Sequence, residues 1–153
     1  MLKTMTRDTD RAEILRRVRT LRHDSNRRWG RMSAQQMVCH LSDGYRLLTG
    51  RPTALSPTPL PRNMMRWIAL YLPVPWPHGI LTTTDLDQDG GGTRPAEFAA
   101  DIAELERLLI EVTTDHRDRF TKYFHPIFGY MSEAEWMRWA YLHADHHLRQ
   151  FGV

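Results

Sequence analysis

From Ser132 to Phe151 the chain runs for twenty residues without a glycine or a proline. Ser132 and Glu135 stand in the S-x-x-E spacing of a capping box, which satisfies two backbone N–H groups at a helix start. A start signal followed by an unbroken run predicts one helix, and little else in the sequence is as restrictive. At about 100° per residue, Trp136, Ala140, His143, His147 and Phe151 fall on a single stripe. His143 and His147 sit near its middle, one turn apart and facing where a core must lie. Two inward imidazoles at this spacing can chelate one metal ion. His146 projects from the flank, about 60° from His143.

An inward histidine is either a core residue satisfied by hydrogen bonds or a ligand. A pair on one stripe strengthens the ligand reading without overturning the core-residue one, because each neutral imidazole is costly to bury without a partner. A third inward histidine on another helix is needed to close such a site.

A chain of 153 residues, 41% hydrophobic and 25% charged, suits one folded domain over residues 1–153 rather than a disordered segment. The first residues lack the apolar run of a signal peptide, and the longest apolar stretch, Trp67 to Leu72, is far too short to span a bilayer. Cys39 is the single cysteine, so no intramolecular disulfide forms, and a reducing cytoplasm is the expected setting. Net charge is +3, but unevenly placed. Residues 1–31 carry ten Lys/Arg against four Asp/Glu, and residues 85–119 carry ten acids against four Arg. Opposed blocks point to attraction within the fold or across a dimer, and the basic block has no interleaved aromatics. Both observations argue against a nucleic-acid surface.

Along the chain, Asp8 or Thr9 is expected to cap a first helix with Ile14, Val18 and Leu21 on its apolar stripe. Ser33 and Gln36 form a second capping box, opening a helix toward Thr49 with Gly50 as its stop. Met37, Leu41, Gly44 and Leu48 line the stripe of that helix. His40 lies on its shoulder, about 60° from Met37, and is the candidate third ligand. Gly44 leaves room for a close approach. Cys39 points elsewhere, with no neighbouring base, as a packed thiol. Residues 50–93 hold seven of the nine prolines, so only a short amphipathic helix over Arg62–Leu72 is expected there. A connection this long walls a pocket or patches the end of the fold. Thr93 is expected to cap the next helix, with Pro95 at its first position. Phe98, Ile102, Leu105, Leu109 and Val112 form its seam. No Glu-x-x-His pair is present, which excludes a di-iron carboxylate bundle. His23 and His78 belong to polar or loop stretches, and His116 to a polar helix end. His125, before Pro126, is a linker residue whose structural use is favoured over folding across the site. Four helices without strand-like alternation describe an all-α helical bundle.

Three blocks together carry a resemblance: Trp29 to Leu41, His125 to Gly129, and His143 to Phe151. The chain resembles the DinB-like superfamily and, more narrowly, one of its domain-of-unknown-function branches. The resemblance implies an up-down-up-down four-helix bundle with a long Pro-rich connection between helices 2 and 3. It also implies a divalent metal held by His40, His143 and His147, with His146 beside the pair but not ligating, and a homodimer. Relatives of known activity include thiol-dependent S-transferases and isomerases, so a low-molecular-weight thiol is an implied co-substrate for a small-molecule substrate.

Three imidazoles leave at least one coordination position open, as in catalytic zinc sites. Zn, Ni, Fe and Mn all accept such ligands. Asp43 and Asp145 are the carboxylates best spaced to orient the rings, with His146 also nearby, although exposed helix positions are the favoured expectation for both acids. The functional expectation is a metal-dependent transferase or hydrolase. The alternative is a non-catalytic metal or small-ligand binding module of the stress-response accessory kind, favoured by the absence of an obvious inward general base.

Overall fold

The computed structural model describes residues 1–80, 82–114 and 122–153, so His116 lies outside the described residues. Among these are five α-helices: α1 (Asp8–Thr20), α2 (Ala34–Leu47), α3 (Arg62–Tyr71), α4 (Phe98–Thr114) and α5 (Glu133–Gln150). A 3₁₀ turn covers Thr84–Leu86, and the described residues also include two short strands, β1 (Phe124–His125) and β2 (Gly129–Tyr130). The molecule is therefore mostly helical but not all-α.

Both capping boxes form. The Ser33 hydroxyl accepts from Gln36 N at 3.1 Å while Gln36 Oε1 accepts from Ser33 N at 2.9 Å. Ser132 and Glu135 repeat the exchange at the start of α5. These reciprocal bonds fix where each helix begins, and so which residues turn inward. Ile14 and Val18 of α1, Met37 and Leu41 of α2, Leu105, Leu109 and Val112 of α4, and Trp136, Ala140 and Leu148 of α5 meet in one buried core. Helix α2 packs on α4 and α5, α1 packs on α5 and α4, and α3 lies against α5.

Three local expectations are corrected. Helix α4 starts at Phe98 rather than behind Thr93, because the Glu97 carboxylate accepts from Ala99 N and Ala100 N and caps it. Thr93 is instead drawn to the buried Asp43 carboxylate, to which both its N–H and its hydroxyl donate. Helix α1 has Arg7 at its N-cap with no side-chain capping bond, and Asp10 reaches back to accept from Thr4 N at 3.0 Å. The link into α5 is a β-hairpin pairing Phe124 with Tyr130 and His125 with Gly129. His125 Nδ1 holds its turn together by accepting from Ile127 N at 3.1 Å and Phe128 N at 3.2 Å. Strands of two residues are too short to leave a periodic signature.

The Pro-rich connection does contain the short helix expected of it, with Leu70 buried and Met64, Trp67 and Tyr71 exposed. Arg62 ties it to the hairpin by donating to the carbonyls of Pro126 and Ile127. The opposed charge blocks meet within the chain. Arg19 makes a bidentate pair with Glu106, and Arg31 reaches Asp87 and Asp89. No described helix is long and apolar enough to cross a membrane.

Candidate metal centre

The core geometry brings α2 against α5 at the height of His40. There one ring nitrogen from each of His40, His143 and His147 lies within 4.8 Å of the other two. His40 Nε2 and His143 Nε2 are 3.2 Å apart. Zinc–nitrogen bonds of about 2.0–2.1 Å place two tetrahedral ligand atoms about 3.3–3.4 Å apart, which this spacing nearly matches. Ring centroids are separated by 5.1 Å for His40–His143, 4.7 Å for His40–His147 and 4.8 Å for His143–His147. Rings sharing one tetrahedral ion have centroids about 5 Å apart by the same bond lengths.

Hydrogen bonds to the far side of two rings decide which nitrogens face the centre. His40 Nδ1 lies 3.0 Å from the Leu86 carbonyl oxygen. A carbonyl only accepts, so the proton is on Nδ1 and the Nε2 lone pair is free. His147 Nδ1 lies 3.0 Å from Gln150 Oε1, and Gln150 Nε2 donates to the Trp29 carbonyl at 2.9 Å. The reversed amide would set oxygen against oxygen, so Gln150 must accept from His147 Nδ1–H. Gly30 makes the approach possible: its φ is +76°, and a Cβ there would lie 2.5 Å from Gln150 Nε2. His143 is positioned by packing. Its ring stacks on Trp139 at 4.8 Å and 17°, and a Cβ at Gly44 would press on the edge of that pair, 2.8 Å from His143 Cε1 and 3.5 Å from Trp139 Cη2.

The rings are held uncharged. Burial pushes His40 below the ordinary imidazole range, against the opposing pull of the Leu86 carbonyl and the Asp43 and Asp87 charges. Burial, and then the neighbouring imidazoles, hold His143 and His147 well below 6.5. Neutral imidazole is the form that binds a metal.

The remaining sequence candidates stand as follows. Asp43 is wholly buried on α2 and accepts from Arg46, Arg51, Gln88 and Thr93, with no described hydrogen bond to an imidazole. Asp145 pairs with Arg17 at 2.7 Å and Arg149 at 3.0 Å. His146 is outside the three-nitrogen group but beside it: its ring centroid is 5.1 Å from that of His147, and 5.9, 5.9 and 6.2 Å from those of Trp29, Trp76 and His78. His78 is an exposed loop residue stacked on Trp29 at 4.0 Å. His125 is buried in the hairpin and touches Trp139, one ring removed from His143. Cys39 is buried next to His40 in sequence. Burial, reinforced by the Asp101 carboxylate, pushes its thiol up to about 12, so it is no nucleophile. The groups that sequence reasoning missed are the Leu86 carbonyl, Gln150 and Trp139. Gln150 and Trp139 stand three residues after His147 and four before His143, a spacing visible in the sequence. The Leu86 carbonyl left no such signal.

Fold and site together define a mostly helical protein with three neutral imidazoles arranged so that they can hold one metal ion. A family model described as a protein of unknown function (DUF1569) matches residues 4–152, and the chain belongs to that family. No curated protein and no solved structure matches it.

Proposed function

We propose that the chain is a divalent-metal-dependent enzyme of the DinB-like kind. In this reading residues 1–153 form one domain, an up-down four-helix bundle of α1, α2, α4 and α5. The mutual packing of these four helices supports that reading, with α3 and the hairpin as additions to the frame. His40, His143 and His147 are the ligands. The observation that carries the proposal is the pair of Nδ1–H anchors on His40 and His147, which turn two Nε2 lone pairs toward a third ring held by Trp139 and Gly44. With three ligands from the protein, a vacant position remains. A zinc, nickel, iron or manganese ion held there supplies Lewis acidity, lowering the pKa of a water or thiol at that position. The residues around it bind and orient. Gln150 and the Leu86 carbonyl hold the protons at Nδ1 of the two anchored rings. Trp76 and His146 are half-buried on the flank of α5 beside His147, and a small-molecule substrate and a low-molecular-weight thiol would enter past them.

The reaction class that fits best is transfer of the thiol sulfur to an electrophile, with the protein working as a homodimer. Elemental analysis of the wild type beside His40→Ala, His143→Ala and His147→Ala tests the site, with stoichiometric metal expected only in the wild type. Metal-dependent thiol consumption across a panel of electrophiles tests the chemistry, and none across the panel rejects it. One observation favours the second reading, a non-catalytic metal or small-ligand module. Asp43 and Asp145 are both engaged by arginines, so neither is free as a general base. Thermal stabilisation by ligands without turnover would select that reading.

A further inference from the structure

Asp43 sits one turn beyond His40 on α2, is fully enclosed, and makes no described hydrogen bond to an imidazole. It nonetheless gathers five donor contacts: Arg46 Nη1 at 2.9 Å, Arg51 Nη1, Gln88 Nε2 at 3.0 Å, Thr93 N at 2.7 Å and Thr93 Oγ1 at 2.6 Å. Burying a carboxylate carries a large desolvation cost, offset only by full pairing of this kind. Two of the partners bracket Leu86. Gln88 follows it by two residues, and Arg51 donates its other nitrogen to the Asp85 carbonyl just before it, at 3.1 Å. The arc between is closed on itself by Gly91 N to Thr84 O at 2.7 Å and Gly92 N to Asp87 O at 2.9 Å. At the crest of this arc the Leu86 carbonyl meets His40 Nδ1.

We propose that Asp43 is a positioning residue for His40, acting through the 84–93 arc: its carboxylate clamps the arc on both sides of Leu86, and the clamped carbonyl keeps the His40 proton on Nδ1. The link to metal binding rests on the three-histidine reading of the site, but the clamp itself does not. Asparagine at position 43 keeps the shape, removes the charge and leaves one acceptor oxygen for donors that now use two.

The test compares Asp43→Asn with Asp10→Asn, a second buried carboxylate. Asp10, on α1, is held by Thr4, Arg7 and Lys3 and lies outside the arc. Long-range ¹H–¹⁵N spectra of the metal-free proteins read the His40 tautomer directly, whatever the site binds. Asp43→Asn is expected to lose the dominant Nδ1–H form and to bind Zn²⁺ or Co²⁺ about 10- to 100-fold more weakly, the usual cost of removing a group that orients a metal ligand. Asp10→Asn is expected to lower stability while leaving the tautomer and the metal affinity at wild-type values. Should Asp43→Asn fail to fold, Gln88→Leu cuts the clamp on one side only. That variant also removes Gln88 Oε1, a buried atom with no hydrogen bond, so the fold should tolerate it. A wild-type His40 tautomer in folded Asp43→Asn or Gln88→Leu overturns the proposal, as does an equal shift in Asp10→Asn. If the wild type binds no metal but the tautomer still shifts in Asp43→Asn, the clamp stands and the metal reading falls.

Discussion

Gly44→Ala sets helix propensity against the site, and the two effects have opposite signs. Gly44 is an interior residue of α2, where alanine is favoured over glycine by about 1 kcal/mol. A Cβ there would lie 2.8 Å from His143 Cε1 and 3.1 Å from Nδ1, whereas ordinary contacts begin at 3.4 Å. The ring must therefore retreat by about 0.6 Å, several times the roughly 0.2 Å tolerance of a metal–ligand bond. The same Cβ would lie 3.5 Å from Trp139 Cη2, so the added methyl presses on the edge of the stacked Trp139–His143 pair and moves the ring out of its packed position. The metal-free variant should thus be folded and within about 1 kcal/mol of the wild type, as the helix gain and the contact strain largely offset each other. Its affinity for Zn²⁺ should fall about 10- to 100-fold, which is about 1.4 to 2.7 kcal/mol. Competition titration against a chromophoric chelator measures the affinity, and circular dichroism with thermal melts, with and without Zn²⁺, measures the fold. Wild-type affinity in a folded Gly44→Ala protein would refute the reasoning, since a ring free to move that far cannot be a positioned ligand.

Gln150→Leu should weaken metal binding by about 10- to 100-fold, because His147 loses the acceptor that holds its proton on Nδ1; isothermal titration beside the wild type checks it. Leu105→Ala, in the core seam of α4, should cost about 2–5 kcal/mol in urea unfolding while metal stoichiometry stays at the wild-type value. Burial, with the Arg62 charge, holds His125 down to about 3 against an ordinary 6.5. The folded protein therefore keeps His125 neutral while the unfolded chain protonates first. Its contribution to stability is complete above about pH 6.5 and is lost as pH falls toward 3, at about 1.4 kcal/mol per pH unit. His125→Asn, which keeps an acceptor for the hairpin amides, should flatten that part of the acid-unfolding curve of the metal-free protein. An unchanged slope would show that the ring is not held neutral.

The parts of this molecule legible from sequence are those written in contiguous residues. Ser33 with Gln36 and Ser132 with Glu135 encode helix starts, and once the starts are fixed the spacing of four between His143 and His147 fixes a shared face. His40 was visible only as a shoulder residue. Its place beside the other two depends on α2 lying against α5 at one height, which no local pattern states. Thr93 shows how local grammar fails. It is a good cap by type, but the buried Asp43 carboxylate outbids the helix for its N–H and hydroxyl, and Glu97 takes the cap instead. The hairpin escaped notice for a related reason, because a histidine ring supplies its turn with an acceptor that composition rules assign to Asn, Asp or Ser.

The acceptor for His40 belongs to the main chain at Leu86, and every amino acid carries that same oxygen. Spelling at position 86 is therefore free, within the size its pocket allows, whereas the path of the ribbon through that point is not. An insertion or deletion between residues 84 and 93 should disturb the centre more than any single exchange of letters at 86.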